Sequence, residues 1–359
     1  MLKHRFLFFP FLILFAGLAL DRFFLLEKIQ TYYTRTVSEI NFFHKPILFQ
    51  DLKKYLQEKD RKKVLVYFGN SRALLFDNAY IEKNYPDWIL FNFSVPGGTP
   101  DYFHYWLLKF QEENVRPDFV LVDNSVEAFN RTPVIKIDES LVNGLDFPFL
   151  FRFWDRYSKN ELSNFTAKRM FRTYQYRPKL EVILERSKNN FAILNHYREW
   201  RTKVMDNLIR ERGSASGDSK NMTAPPELIL KYANGDFNSY ISNYEFHEDM
   251  FLFQKENLEI LKKLNIPSAG IWVKVASPYM NLILSKQYKK DCKECIAYNV
   301  WKNRIFPLFG EYKFNIWNMN TETDYKCEAF TDASHMASEC FPAYTDFIFE
   351  NLKKETEKQ

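Results

Sequence analysis

Glycine is scarce in this chain: there are 10 among 359 residues, against 36 Phe, 21 Tyr and 7 Trp. Each glycine therefore marks a backbone position with a specific need for one. The four cysteines, Cys292, Cys295, Cys327 and Cys340, all lie late in the sequence, so no cysteine is available near the N-terminus for a lipid-modified anchor. The formal charge of +5 is small for the length and forms no long Lys/Arg stripe, which leaves nucleic-acid binding without support. There is no P-loop, dinucleotide fingerprint or H-E-x-x-H motif, and no internal repeat. Four of the six histidines have ordinary surroundings: His4 lies in the N-terminal run, His44 in a helical segment, and His196 and His247 in further helices. None has paired ligand spacing, so neither a metal nor a cofactor is expected.

Apolar sequence is concentrated at the start. Lys3 and Arg5 precede an uncharged run from Phe6 to Leu20, which Asp21 and Arg22 interrupt before Phe23 to Leu26. A bilayer span needs about 20 residues, which the run supplies only if Arg22 snorkels to the interface. Residues 1–26 are therefore expected to be a transmembrane anchor. Gly17-Leu18-Ala19 keeps a cleaved signal peptide open as the rival, and a buried cytosolic helix is the third reading. Either of the first two places the rest of the chain outside the cytoplasm. An even number of cysteines in an oxidising compartment suggests disulfides. A zinc site on Cys292-x-x-Cys295 is the alternative, although Cys327 and Cys340 do not form the second C-x-x-C of a ribbon.

Residues 27–62 carry Leu48, Leu52, Tyr55 and Leu56 at helical spacing and are expected to form a helical stalk that docks on the domain. From Val64 the pattern alternates. Apolar strands are expected at Val64–Phe68, Trp88–Phe93, Phe119–Val122, Ala269–Val275 and Tyr312–Trp317. Helical sequence separates them, with Pro100–Asn114, Tyr244–Leu264, Tyr298–Phe309 and Ala343–Lys354 the clearest stretches. Buried strands joined by helices imply βαβ units and a parallel sheet. Residues 63–130 and 241–359 make this α/β domain. The intervening 131–240 shows helical patches and no strand, so it reads as a helical insertion or lid, with a small-residue tract from Gly213 to Lys220 as a flexible loop. Asp138 and Glu139 form an acidic pair of no evident use.

The first three strands end in loops rich in Gly, Ser, Asn and Asp, and the carboxyl edge of an open α/β sheet is where ligands bind. Gly69-Asn70-Ser71 follows the first strand and Gly97-Gly98 the second, while Asp332-Ala333-Ser334-His335 lies in a late loop between cysteines. A serine nucleophile requires a base, and the base an orienting carboxylate. Asp and His three residues apart can present an imidazole already oriented, and His335 over Ser71 would complete the set. The backbone N–H groups of Ser71 and of Gly97 or Gly98 are candidate oxyanion donors. Arg72 could meet an anionic substrate group, and His104 could line the site.

Strand-Gly-x-Ser, a glycine loop after the second strand and a terminal Asp-x-x-His resemble the SGNH (GDSL-like) hydrolases. The N-terminal run, the insertion and the late "GIWVKVASPYM" segment look more specifically like membrane-anchored envelope members. These include alginate-type O-acetylation proteins and, nearer still, the spirochaetal group catalogued as domain of unknown function 1574. The resemblance covers roughly residues 60–130 and 245–355. It implies a three-layer, SGNH-like (flavodoxin-like) α/β fold with a helical insertion and an N-terminal transmembrane helix. It also implies an extracytoplasmic serine acyl esterase or O-acyltransferase on an envelope glycan or lipid, in a bacterial periplasm. The family's third block, Gly-x-Asn-Asp, is replaced by Val122-Asp123-Asn124-Ser125. Asn124 is thus either an oxyanion donor or part of an Asx turn, and a non-catalytic envelope scaffold or glycan-binding protein of the same fold is the alternative function.

Overall fold

In a computed structural model of the chain, the described residues are 8–24, 26–33, 39–131, 140–176, 179–188, 190–215, 222–290, 292–321 and 325–357. Five parallel strands form one sheet: β1 (Lys63–Phe68), β2 (Trp88–Asn92), β3 (Phe119–Asp123), β4 (Ser268–Trp272) and β5 (Asn315–Asn318). Their order is β2-β1-β3-β4-β5. The register pairs Val66 with Phe91 on one side and with Val120 on the other. Strands β1, after Lys63, and β3, up to Asp123, are unbroken apolar runs because both faces of the sheet are covered. Val64, Val66, Phe68, Val120 and Val122 enter one core. Leu65, Tyr67, Phe119 and Leu121 enter the other. This doubly wound order reverses direction between β1 and β3, so the crevice at their carboxyl ends is where a ligand site is expected.

The main helices are α1 (Phe9–Phe24), α2 (Glu39–Leu56), α3 (Asn78–Asn84), α4 (Pro100–Glu112), α5 (Lys159–Met170), α6 (Leu180–Lys188), α7 (Ile193–Arg210), α8 (Pro226–Tyr240), α9 (Glu248–Lys263), α10 (Ser277–Ser285), α11 (Ala297–Tyr312) and α12 (Phe341–Glu357). Helices α2, α4, α9 and α11 contribute to the first core, through residues such as Phe49, Phe103, Phe253 and Ile305. Helices α3 and α12 contribute to the second, through Ile81, Tyr344 and Ile348. Between residues 131 and 240 the described residues are helical and contain no named strand, only a single bridge of Asn130 to Phe246 at its border.

Among the described residues, no helix is long and apolar enough to cross a membrane. Helix α1 has 16 residues, about 24 Å at 1.5 Å each, short of a hydrocarbon core about 30 Å thick. Its last turn is also claimed by protein: Asp21 accepts from the N–H groups of Arg172 and Thr173, at 2.9 and 2.8 Å. Residues 1–7, with Lys3, His4 and Arg5, lie outside the described residues. In residues 39–56, α2 lies against the domain. Leu48 and Leu52 are buried, and the fully buried Lys45 Nζ donates to the carbonyls of Asn92 and Gly213. In the small-residue tract, Gly213 and Ser214 are buried and Ala215 N–H donates to Leu74. The remainder of that tract, and the Asp138–Glu139 pair, lie outside the described residues.

Candidate active site

The chain leaves β1 through Gly69 and Asn70 into a single 3-10 turn, Ser71–Ala73. Asn70 caps it: its Oδ1 accepts from Arg72 N–H at 3.0 Å, while its Nδ2 donates to Asp123 Oδ2 and Ser125 Oγ at the end of β3. The cap therefore joins the two loops on either side of the switch point. It also places Ser71 at the first position of the turn, where a backbone N–H has no partner within the helix. After β2, Gly97 adopts a positive φ of 62°. Gly98 lies against the β1 loop, where an added Cβ would overlap the Gly69 carbonyl. The positive φ accounts for Gly97 and the overlap for Gly98.

Ser71 and His335, 264 residues apart in sequence, are in hydrogen-bond contact: Oγ lies 2.7 Å from His335 Nε2. His335 Nδ1 lies 3.0 Å from both carboxylate oxygens of Asp332. With Nε2 accepting from the serine, Nδ1 carries the hydrogen and donates to the carboxylate. Asp332 Oδ1 also accepts from Ser334 N–H and His335 N–H, each at 2.8 Å, which fixes the loop that holds the imidazole. Burial would push the Asp332 carboxyl up. The hydrogen bond and charge of His335, with those two N–H groups, outweigh it and hold the carboxyl below the usual range.

The cysteines form two disulfides, Cys292–Cys295 and Cys327–Cys340, and no free cysteine remains for a zinc site. The second closes the loop that carries Asp332 and His335. Among the described residues no group of His, Cys, Asp and Glu could hold a metal ion.

A cavity of about 470 Å³ opens over these residues. Ser71, Asp332 and His335 line it with Arg72, Gly97 and Gly98. Arg72 is buried rather than exposed, in a fork with Glu127 at 2.6 and 3.3 Å. Burial would lower the guanidinium's affinity for its proton, but Glu127 more than reverses this. Glu127 is in turn held below the usual range: burial raises it and Arg72 lowers it further. The guanidinium is thus already neutralised and is not an open anion receptor.

Three predicted site residues have other roles. Asn124 is fully buried, and its Nδ2 donates to the Val122 carbonyl at 2.9 Å, packed where Gly270 leaves room. It turns into the sheet and does not line the cavity. The Gly98 N–H donates to Val95 O at 3.1 Å, so of the three expected backbone donors Ser71 and Gly97 remain candidates. His104 lies elsewhere, between Asn257 Oδ1 at 2.9 Å and Glu256 at 3.3 Å. Burial lowers its imidazole to about 4.

Residues 1–352 match the family model described as "Protein of unknown function (DUF1574)". The chain belongs to the DUF1574 family. No curated protein matches it. The match spans the sheet and the helical segment alike, so in this DUF1574 chain the insertion is part of the family unit and contributes to the cavity.

That contribution was not anticipated from sequence. Tyr232, Asp236 and Tyr240 of α8 line the cavity opposite the serine, and Asp236 Oδ2 accepts from Ser334 Oγ at 2.6 Å. Asp123 was missed as well. It is buried under Asn70 and Ser125, and desolvation pushes its carboxyl up to about 6 despite the Ser125 hydrogen bonds and the charge of Arg72. A helix-borne carboxylate between two tyrosines has no local motif. Its only trace in the sequence is the spacing of four that puts all three on one helix face.

Proposed function

We propose that the chain is a serine acyl esterase or O-acyltransferase of the SGNH-like type. The observation that carries this reading is the continuous line from Ser71 Oγ through His335 to Asp332, at 2.7 and 3.0 Å. Ser71 Oγ adds to an ester carbonyl while its proton passes to His335 Nε2, and Asp332 stabilises the imidazolium and fixes its tautomer. The N–H groups of Ser71 and Gly97 face the developing oxyanion. Collapse breaks the bond to the alcohol, which leaves with the proton from Nε2, and an acyl-Ser71 remains. Water or a second hydroxyl group attacks that ester, gives its proton to Nε2, and restores the serine.

The setting we infer is extracytoplasmic and membrane-associated, with an envelope glycan or lipid as substrate. Two disulfides favour an oxidising compartment. Helix α1 exposes Phe9, Phe11, Ile13 and Phe15 at 59–70%, an apolar surface that a lipid phase would cover. A fluorophosphonate probe tests the chemistry. The wild-type protein is expected to label at Ser71, Ser71→Ala to lose the label, and His335→Ala to label slower by about 10²- to 10⁴-fold. A wild type that never labels refutes the proposal.

A second reading, a non-catalytic scaffold of the same fold, is favoured by one observation. Asn124 turns inward and the Gly98 N–H donates to Val95, so two of the expected oxyanion donors are committed elsewhere. The same labelling experiment separates the two.

A further inference from the structure

Helix α8 divides its residues by face. Ala233 and Phe237 are buried in the core, whereas Tyr232, Asp236 and Tyr240, each four residues from the next, line the cavity with Ser71 and His335. Neither tyrosine hydroxyl, nor Asp236 Oδ1, has a hydrogen-bond partner among the described residues. Asp236 is held by its other oxygen, through Ser334 Oγ, beside His335. Arg72 Nη2 contacts the same hydroxyl at 3.4 Å while paired to Glu127. The helix wall is therefore fixed relative to the imidazole, yet presents two phenol hydroxyls and a carboxylate oxygen without hydrogen-bond partners among the described residues, on rings of which that of Tyr240 also packs against the first core.

The charge of the lining limits what fits. Glu127, Asp236 and Asp332 face one guanidinium, that of Arg72, which is already committed to Glu127. A carboxylate or phosphate entering here would meet uncompensated negative charge in a partly desolvated cavity. A neutral polyol meets the opposite situation. Its hydroxyls donate to Asp236 Oδ1 as charge-assisted hydrogen bonds, and its C–H faces lie against tyrosine rings.

We propose that Tyr232, Asp236 and Tyr240 form a sugar subsite that positions an uncharged pyranose for acyl exchange at Ser71 and excludes uronate and phosphate groups. This rests on the acyl-transfer reading for the role of the bound hydroxyl, but not for the binding itself. Asp236 and the two tyrosines would be specificity residues, with the chemistry left to Ser71, His335 and Asp332.

The test uses the full chain carrying Ser71→Ala, so that binding is measured without turnover. Calorimetric titration with cellotetraose, mannotetraose, maltotetraose and chitotetraose is compared with titration by tetragalacturonate. At least one neutral tetrasaccharide should bind, and tetragalacturonate at least about tenfold more weakly. Tyr232→Ala, at a residue 38% exposed, should fold normally and weaken the neutral ligand by about tenfold. Asp236→Lys should narrow or invert the preference against the uronate. The proposal is overturned if no neutral tetrasaccharide binds, if tetragalacturonate binds as well as they do, or if Tyr232→Ala leaves affinity unchanged. Fluorophosphonate labelling of the wild type is scored separately: binding without labelling keeps the subsite and discards the acyl chemistry, and labelling without binding does the reverse.

Discussion

Removing the Cys327–Cys340 disulfide should cost both stability and serine reactivity, because it closes the loop on which Asp332 and His335 sit. The bonded cysteines are 13 positions apart, and closing a loop of that size removes about 3 kcal/mol of denatured-state entropy at 25 °C. Unfolding a 359-residue chain as one unit carries about 0.75 kcal/mol/K of entropy. The loss therefore corresponds to roughly 4 °C in Tm. Cys340 is fully buried, so Cys327→Ser paired with Cys340→Ala avoids leaving a hydroxyl in the core. Guanidinium unfolding should give the stability loss, and the rate of fluorophosphonate labelling should fall at least tenfold as His335 loses its fixed approach to Ser71. Cys292→Ser/Cys295→Ser, whose loop lies outside the cavity, serves as control and should leave labelling unchanged. The reasoning fails if the Cys327/Cys340 variant loses under about 1 kcal/mol and labels like wild type.

Arg72→Met leaves Glu127 buried without its partner and should destabilise by about 3–5 kcal/mol, read by chemical denaturation; restoration by Glu127→Gln in the same chain should be substantial. Gly98→Ala drives a Cβ into the Gly69 carbonyl, and should slow labelling more than tenfold or, if the loop cannot shift, lower Tm. Asp123 binds its proton up to about 6 when folded, against about 3.8 for an ordinary aspartate, so the native state holds more protons than the unfolded state across that window. Stability should therefore fall as pH rises from about 4 to 6, by on the order of 3 kcal/mol, and this component should vanish from pH-dependent denaturation of Asp123→Asn. Asp332 has the opposite sign: its folded carboxyl is depressed, so the stability it provides is present above the ordinary carboxylate range and lost as pH falls below it, a decline that Asp332→Asn should blunt.

The parts of the molecule legible in the sequence were those with a local pattern. Strands β1 and β3 could be read because parallel strands buried on both faces need unbroken apolar runs. Ser71, Gly97, Asp332 and His335 could be read because strand ends and short motifs specify them. Boundaries failed where a helix outlasted its pattern. Tyr312 looked like the start of β5, but α11 runs through Pro307 to reach it and ends on Lys313, at a φ of 60°, so β5 begins only at Asn315. Asn124 stayed open between two roles for a different reason. Sequence places it at the correct sheet edge, but whether its amide faces the cavity or the sheet depends on the space Gly270 leaves two residues into the neighbouring strand, and no linear pattern encodes that.

The largest omissions are long-range pairings. Arg72 and Glu127 are 55 positions apart, and Asp236 and Ser334 are 98 apart; alone, Arg72, Glu127 and Asp236 each read as a solvated surface charge and Ser334 as an ordinary loop serine. What makes them informative is burial, since a carboxylate or guanidinium removed from water persists as an ion only when a partner offsets the desolvation. Arg72 has such a partner fully committed to it, whereas Asp236 keeps one oxygen unused. The same criterion that removes Arg72 as an anion receptor therefore leaves Asp236 as the group with unspent capacity. The specificity of this cavity, if the serine is a nucleophile, should be set from the inserted helix and not from the strand loops that supply the chemistry.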